Sequence, residues 1–176
     1  VLLNQPYKVV DDHGESTPLK SGKIVRTPLF DDIFYYDGSL GALYNKKSTT
    51  FKVWSPTAQS ITLNLYGSTH EKIDLVYKNQ GVWEITVQGD LHLTPYDFDA
   101  CVNERKTRFT DPYGVASTPN GKQSVVIDPK KTYTMKYERP PFSGVKTDAI
   151  IYEVSVRDLT HQLRGQHSST YLGVVE

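Results

Sequence analysis

The chain has 176 residues, with 20 Lys and Arg against 20 Asp and Glu, so its formal net charge is zero and its pI is about 7.1. This balance argues against a dedicated surface for nucleic acid or an anionic membrane, which would need clustered Lys and Arg. No apolar run approaches the roughly 18 residues of a membrane-spanning helix. The single cysteine, Cys101, excludes an internal disulfide and a cysteine-rich zinc site, and it leaves the redox compartment open.

The composition favours β structure. The chain contains 17 Val, 8 Ile, 17 Thr and 20 aromatic residues, but only 5 Ala and 1 Met. β-Branched and aromatic side chains fit the pleated surface of a sheet, whereas a sequence poor in Ala disfavours long helices. We therefore expect a folded, strand-rich protein.

Residues 1–28 are mixed in character, with one strand-like piece over residues 22–26. The chain begins with Val1, and the residues after it lack the basic region and long apolar core of a signal peptide. We expect residues 1–28 to be the tail of an upstream region followed by a linker. The chain is then expected to start within a longer protein.

The region 29–139 carries period-two patterns separated by turn residues. Three segments alternate apolar with polar residues: 61–66, 83–88 and 96–103. This alternation is typical of antiparallel strands that are packed on one face and solvated on the other. Several short strands with no helical repeat between them predict an immunoglobulin-like antiparallel β-sandwich over residues 29–139.

The pattern changes after residues 140–147, which are rich in Pro and Gly and predict a linker. Residues 149–156 then form a nearly continuous apolar run, typical of a strand that is buried on both faces in a parallel sheet or barrel. Such a strand needs neighbours, and about twenty residues follow it. We therefore interpret residues 148–176 as the truncated start of a further domain.

Few residues suggest catalysis or metal binding. His161 and His167 lie near Asp158, but no third ligand follows at a usual spacing, so we predict no metal site. Asp97 and Asp99 lie two apart on one strand face, and we interpret them as a solvated face instead of a catalytic carboxylate pair. The chain has no phosphate-binding loop, dinucleotide fingerprint or serine nucleophile elbow, so no cofactor is predicted.

The two tryptophans admit two interpretations. A sugar ring can stack on a flat aromatic side chain, so an exposed Trp on a sandwich would indicate carbohydrate binding. Trp83, however, shares its strand face with Ile85 and Val87, which favours packing in the core. Trp54 stands at a strand end before Pro56, where it could also serve as a packing anchor between domains.

Several short motifs follow one another along the chain. They are YDGSLGA at 36–42, TFKVWSPTA at 50–58, GVW at 81–83, DPY at 111–113, NGK at 120–122, DAIIYEVSVRDL at 148–159 and YLG at 171–173. In this fixed order they resemble the N-terminal portion of type I pullulanases of the alpha-amylase superfamily, and the resemblance covers roughly residues 22–176.

This resemblance implies a parent enzyme that hydrolyses α-1,6 branch linkages in pullulan, glycogen or limit dextrins. It assigns residues 148–176 to the first strand of a catalytic (β/α)₈ barrel and the stretch entering its first helix. The mechanism implied is a retaining one with three carboxylates, all expected beyond this chain, so no residue here is assigned as catalytic. Asp158 follows the implied strand, and we expect a structural role for it.

The resemblance also implies a starch-binding-type sandwich, whose binding members carry an exposed Trp pair and a Lys. Here the stretch directly after Leu65-Tyr66-Gly67 has no Trp, and Asp97 stands where the Lys is expected. Arg108 and Phe109 stand near the second Trp position. Arg108 and Phe109 are the only sugar-contact candidates. We expect α-glucan binding by this segment to be weak or absent.

Two functions from different classes remain open. In the first, the chain is the N-terminal part of a debranching hydrolase, and its sandwich mainly scaffolds the remainder of its own barrel. In the second, it is an autonomous α-glucan-binding or interaction module without catalysis. The barrel-like run at 149–156 favours the first, and neither function involves nucleic acid or a membrane.

Overall fold

The computed structural model describes residues 3–133, 144–162 and 165–175. The chain divides into two compact units, Val1–Tyr133 and Thr134–Glu176. The first unit contains the strands β1 Tyr7–Val10, β2 Ser16–Leu19, β3 Gly41–Asn45, β4 Ser48–Trp54, β5 Ala58–Tyr66, β6 His70–Asp74, β7 Val76–Tyr77, β8 Val82–Gln88, β9 Pro95–Val102, β10 Arg105–Phe109 and β11 Ser124–Val125. Its α-helix is α1, Pro28–Phe34, and it has 3₁₀ helices at Gly22–Arg26, Pro119–Gly121 and Pro129–Lys131.

The strands form two principal antiparallel sheets and one separate hairpin. A five-stranded sheet has the order β10-β9-β5-β6, with β11 also pairing with β9, and a four-stranded sheet has the order β3-β4-β8-β7. Strands β1 and β2 form the hairpin. Each pairing is antiparallel, as the alternating sequence pattern predicted.

The core lies between the inner faces of the two principal sheets. The four-stranded sheet contributes Phe51 and Val53, and the five-stranded sheet contributes Leu63, Tyr96 and Phe98, all at most 2% exposed. The apolar positions of the alternating segments in β5 and β9 thus point inward as predicted. The immunoglobulin-like antiparallel β-sandwich expected from the sequence is confirmed.

A buried polar network joins the segment after β10 to this core. The hydroxyl of Tyr96 donates to Asp111 Oδ2 at 2.7 Å, and the backbone N–H of Tyr113 donates to Asp111 Oδ1 at 2.8 Å. The backbone N–H of Asp111 in turn donates to Ser124 Oγ at 3.0 Å. Burial raises the pKa of the Asp111 carboxyl, and the bonds from Tyr96 and Tyr113 oppose that shift. The network fixes the backbone at Tyr113.

The prediction of a strand over residues 22–26 is wrong, because these residues form a 3₁₀ helix at Gly22–Arg26. Local bonds from Ile24 N to Ser21 O and from Thr27 N to Ile24 O, both 3.2 Å, satisfy this backbone without a neighbouring strand. Thr27 then begins α1: its side chain accepts from Phe30 N, and a proline occupies the first helical position.

The strand predicted over residues 149–156 is not formed. Residues 149–155 have no regular secondary structure, and Val156 begins the helix α2, Val156–Thr160. Ile150, Ile151 and Tyr152 are 100%, 85% and 80% exposed. A strand needs backbone partners, and no described residue pairs with this segment. The second unit otherwise contains 3₁₀ helices at Lys146–Asp148 and Tyr171–Val174.

Candidate functional site

The outer surface of the five-stranded sheet holds a connected group of polar side chains. We call it the polar face, and its members come from four adjacent strands: Asn64 and Tyr66 on β5, His70 and Lys72 on β6, Asp97 and Asp99 on β9, and Arg108 on β10. Their proximity follows from the register, which places Asn64 opposite Asp97 and Lys72, and Arg108 opposite Asp99. Because directly opposed residues share a sheet face, the seven side chains converge.

Asp97 lies at the centre of the polar face. Asn64 Nδ2 donates to Asp97 Oδ1 at 2.9 Å, Tyr66 Oη donates to Oδ2 at 3.2 Å, and Arg108 Nε donates to Oδ2 at 3.0 Å. The residue is only 3% exposed. The expectation of a solvated carboxylate is therefore wrong for Asp97, because side chains from the neighbouring strands cover it.

Burial raises the pKa of the Asp97 carboxyl, and the nearby charge of Asp99 raises it further. The hydrogen bond from Asn64 and the charges of His70 and Lys72 act in the opposite direction. Desolvation dominates because the carboxylate lies beneath the side chains that bind it. The ionised carboxylate of Asp97 therefore depends on its hydrogen-bond donors to remain stable while buried.

Asn64 holds both carboxylates at once. Its Nδ2 also donates to Asp99 Oδ2 at 3.0 Å, and Lys72 Nζ lies 3.6 Å from the same oxygen. Each carboxylate thus has its own cation, Arg108 for Asp97 and Lys72 for Asp99. Both carboxylates are bound by internal partners, which suits a structural role better than proton transfer to a substrate.

The aromatic side chains of the polar face are also engaged. Tyr66 stacks on His70 with ring centroids 4.6 Å apart and planes at 13°, and the guanidinium of Arg108 lies 5.6 Å from the centroid of Tyr66. Tyr66 is therefore covered from two sides. Beside this cluster, an open groove of about 620 Å³ is bordered by Lys72, Asp99 and Arg108.

The two sugar-contact candidates lie on opposite faces of β10. Arg108 belongs to the polar face, and its side chain is 54% exposed. Phe109 packs against the core, with its ring 5.6 Å from that of Phe98. Successive residues of a strand point to opposite sides, so the two do not contribute to one surface.

The tryptophans occupy different environments. Trp83 lies in the core at 6% exposure, with Nε1 donating to Ser55 O at 3.0 Å, as the shared face with Ile85 predicted. Trp54 is half-buried on the outer face of the four-stranded sheet, where its ring meets that of Phe30 of α1 edge-on at 6.3 Å. Trp54 is thus a packing anchor within the first unit.

Other candidate chemistry is sparse. In the described parts of the chain, no three His, Cys, Asp or Glu side chains are grouped as metal ligands would be. Cys101 is half-buried, with Sγ 3.3 Å from Gln59 Oε1. Over the same described residues, no helix has the length and apolarity needed to cross a membrane.

Sequence reasoning missed Asn64, Tyr66 and His70 as members of the polar face. Each occupies a polar position in an alternating segment, which predicted only that it faces outward. A detectable signal was the amide of Asn64 between apolar neighbours on a long strand, since an amide can bind carboxylates on an adjacent strand. Identifying those carboxylates required the register of β5 with β9.

Comparison with known proteins gives consistent matches. Residues 39–114 match the family described as carbohydrate-binding module 48 (isoamylase N-terminal domain). The whole chain is 39% identical to a quarter (25%) of a pullulanase from Bacillus subtilis strain 168. It is also similar in structure, at 35% identity and a TM-score of 0.91, to 26% of a pullulanase from Anoxybacillus sp. LM18-11. A third match, type I pullulanase from B. subtilis complexed with maltose, has 36% identity and a TM-score of 0.86 over 100% of this chain and 25% of that one.

These matches confirm the resemblance to type I pullulanases that the sequence motifs indicated. The chain spans about a quarter of the length of these relatives.

Proposed function

We propose that this chain is the N-terminal part of a debranching enzyme that hydrolyses α-1,6-glucosidic linkages in pullulan or limit dextrins. The observation that carries the proposal is that the similarity to pullulanases covers the whole chain, at 39% identity. It thus includes residues 148–176, outside the 39–114 match to the carbohydrate-binding module. An autonomous binding module would have no need of that additional segment.

In this proposal the sandwich, residues 29–139, mainly scaffolds a catalytic barrel that begins at residue 148 after a linker at 140–147. Hydrolysis would proceed by a retaining mechanism, with three carboxylates supplied by the rest of the protein. The chemistry of the polar face supports a scaffolding role. Asp97 and Asp99 are bound by Asn64 and by one cation each, so they are held by internal bonds.

We further propose that glucan contact on the polar face is weak and depends on Arg108. Its side chain is 54% exposed, but its Nε is already bound to Asp97 at 3.0 Å. A sugar hydroxyl would have to compete with this charge-assisted bond. The inward packing of Phe109 supports a core role for that residue instead of a sugar platform.

The test compares two proteins on two substrates. A longer polypeptide that contains this chain and continues it should release reducing sugar from pullulan but not from linear amylose, which lacks α-1,6 linkages. The 176-residue chain by itself should release none from either. Reducing sugar from the short chain, or cleavage of amylose in preference to pullulan by the long one, would contradict the proposal.

A further inference from the structure

A second surface, on the four-stranded sheet, has a different chemistry. It is an open groove of about 410 Å³ where α1 and the loop after β10 border that sheet, and we call it the aromatic groove. Of the seven described residues that line it, Asp31 is the charged one and five are aromatic: Phe34, Tyr35, Tyr36, Trp54 and Tyr113. Its volume lies in the range of small-molecule sites.

The aromatic groove and the polar face lie on opposite outer surfaces of the sandwich. Trp54 alternates along β4 with Val53, which points into the core, so Trp54 projects from the outer side of the four-stranded sheet. Arg108 projects from the outer side of the five-stranded sheet. A ligand in one location therefore leaves the other unoccupied.

Hydrogen bonds hold Trp54 and the backbone around it in place. Trp54 Nε1 donates to the backbone oxygens of Phe34 at 2.9 Å and Gln80 at 3.0 Å. Gln80 Nε2 donates to the backbone oxygen of Tyr35 at 2.6 Å. These bonds tie the end of α1 to the turn before β8, and they fix the indole at the floor of the groove before any ligand arrives.

The opposite side of the groove is equally constrained. Asp111 accepts from the backbone N–H of Tyr113 at 2.8 Å. Gly41 has a φ of +91°, and a Cβ built there would lie 3.0 Å from the backbone oxygen of Tyr113. Only glycine combines this conformation with such a close approach. The local structure thus fixes the backbone of Tyr113. This side of the groove therefore keeps its shape when no ligand is bound.

The exposed rings determine which ligands fit. Tyr35 and Tyr113 are 68% and 39% exposed, so ring surface and hydroxyl groups are accessible. Among the described residues, none of those that line the groove is Lys or Arg, which disfavours phosphate or carboxylate ligands. An open trough of aromatic rings also differs from the closed cage that surrounds a quaternary ammonium ion. The favoured ligand is neutral, with flat C–H faces and hydroxyl groups, which describes a pyranose ring.

We infer that the aromatic groove binds an α-linked glucose chain, with sugar rings against Tyr35 and Tyr113 and hydroxyl groups directed to Asp31. The choice of an α-glucan among neutral sugars rests on the proposed function. The site itself rests on its aromatic lining, in which two hydrogen bonds hold the Trp54 indole, and on the absence of Lys and Arg among the described residues that line it. A preorganised indole lowers the ordering cost of binding.

The experiment titrates the 176-residue chain with maltotetraose, followed by calorimetry. Tyr35→Ala and Tyr113→Ala should each weaken binding by about tenfold or more, because each removes a stacking surface. Tyr113→Phe should retain most of the affinity, since it keeps the ring. The matched control, Tyr133→Ala, removes an 89% exposed ring outside the groove and should bind like the parent chain. Arg108→Ala should remove only the weak contact proposed for the polar face and leave binding at the groove in place.

Three results would overturn the inference. The first is the absence of maltotetraose binding to the parent chain in the millimolar range, and the second is binding that only Arg108→Ala weakens. The third is preferential binding of choline, which would identify a cation site. Thermal unfolding of each variant verifies that the fold is retained. The pullulan assay tests the proposed function separately, because it measures hydrolysis and not binding at this groove.

Discussion

At the scale of single residues, Trp83 combines a large buried ring with a satisfied polar atom. It is 6% exposed, its ring meets that of Tyr77 edge-on at 5.3 Å, and its Nε1 donates to Ser55 O. We expect Trp83→Ala to lower the free energy of unfolding by about 3–5 kcal/mol, as for other large buried aromatics. Chemical denaturation measures this, and Trp83→Phe should cost less because it keeps a ring. A negligible loss would place Trp83 on the surface and revive sugar stacking for it.

The ionisation of the Tyr44 hydroxyl can be followed by NMR at a single carbon atom of its ring. Its hydroxyl donates to Asp90 Oδ1 at 2.7 Å, and this bond raises the pKa of Tyr44 from 10.0 to about 12. Because the pKa is higher in the folded state, the bond stabilises the protein fully below pH 10 and is lost as the pH rises through 12. The titration of Tyr44 Cζ by NMR should show a midpoint near 12.

Asp90→Asn is the matched control, because it removes the charge and keeps the shape. It should move the midpoint of Tyr44 back towards 10.0. A midpoint near 10 in the parent chain, or one that Asp90→Asn leaves in place, would show that the hydrogen bond does not exist in solution.

At the scale of elements, the turn between β7 and β8 has little steric freedom. Gly81 has a φ of +82°, and a Cβ built there would lie 2.4 Å from Cγ of Pro56. Gly89, after β8, also has a positive φ of +104°, but nothing lies within 4 Å of its Cβ position. Substitution of Gly89 therefore measures the cost of the positive φ alone, and substitution of Gly81 adds the cost of the steric clash with Pro56.

We expect Gly89→Ala to cost about 1–2 kcal/mol from its positive φ alone. Gly81→Ala should cost clearly more, because the ring of Pro56 has to move as well. Thermal unfolding of both variants provides the comparison. Equal losses at the two positions would mean that the contact between Gly81 and Pro56 is not tight.

The elements also show how far the sequence could predict this fold. Alternation in β5, β8 and β9 determined which side chains face the core, because a period of two depends only on local geometry. The burial of Asp97 did not follow from that pattern, since it depends on Asn64 and Arg108 being opposed from other strands. The aromatic groove was similarly hidden, because Tyr35, Trp54 and Tyr113 are distant in sequence.

At the scale of the whole molecule, the two units differ in how far their strand-like segments are paired and their apolar side chains are buried. The first unit buries its apolar strand positions between its own two sheets. The run at 149–156 has strong strand composition but no strand partner among the described residues. Local preference is not sufficient for a strand, because its backbone bonds come from other segments. The pattern therefore did not predict the conformation of this segment.

We expect residues 150–156 to exchange their amide hydrogens rapidly when the 176-residue chain is monomeric, in contrast to the amides of β5. At higher protein concentration, the unpaired backbone and the exposed side chains of Ile150, Ile151 and Tyr152 should promote pairing between copies. Hydrogen exchange over a series of protein concentrations measures the protection of these amides. Analytical ultracentrifugation of the same samples measures the oligomeric state. Protection should appear only in samples that contain dimers or larger species.

Ile151→Lys tests whether this apolar run drives the association. A charge on an unpaired strand-forming segment opposes pairing, so the variant should stay monomeric and exchange rapidly at every concentration. Val115→Lys is the control, because Val115 is 86% exposed in the first unit, and it should associate like the parent chain. Slow exchange across 150–156 in a strictly monomeric sample, with no contact to the sandwich, would refute the account of this segment as a strand that lacks its neighbours. Both variants should unfold at the parent temperature, because neither side chain lies in the core.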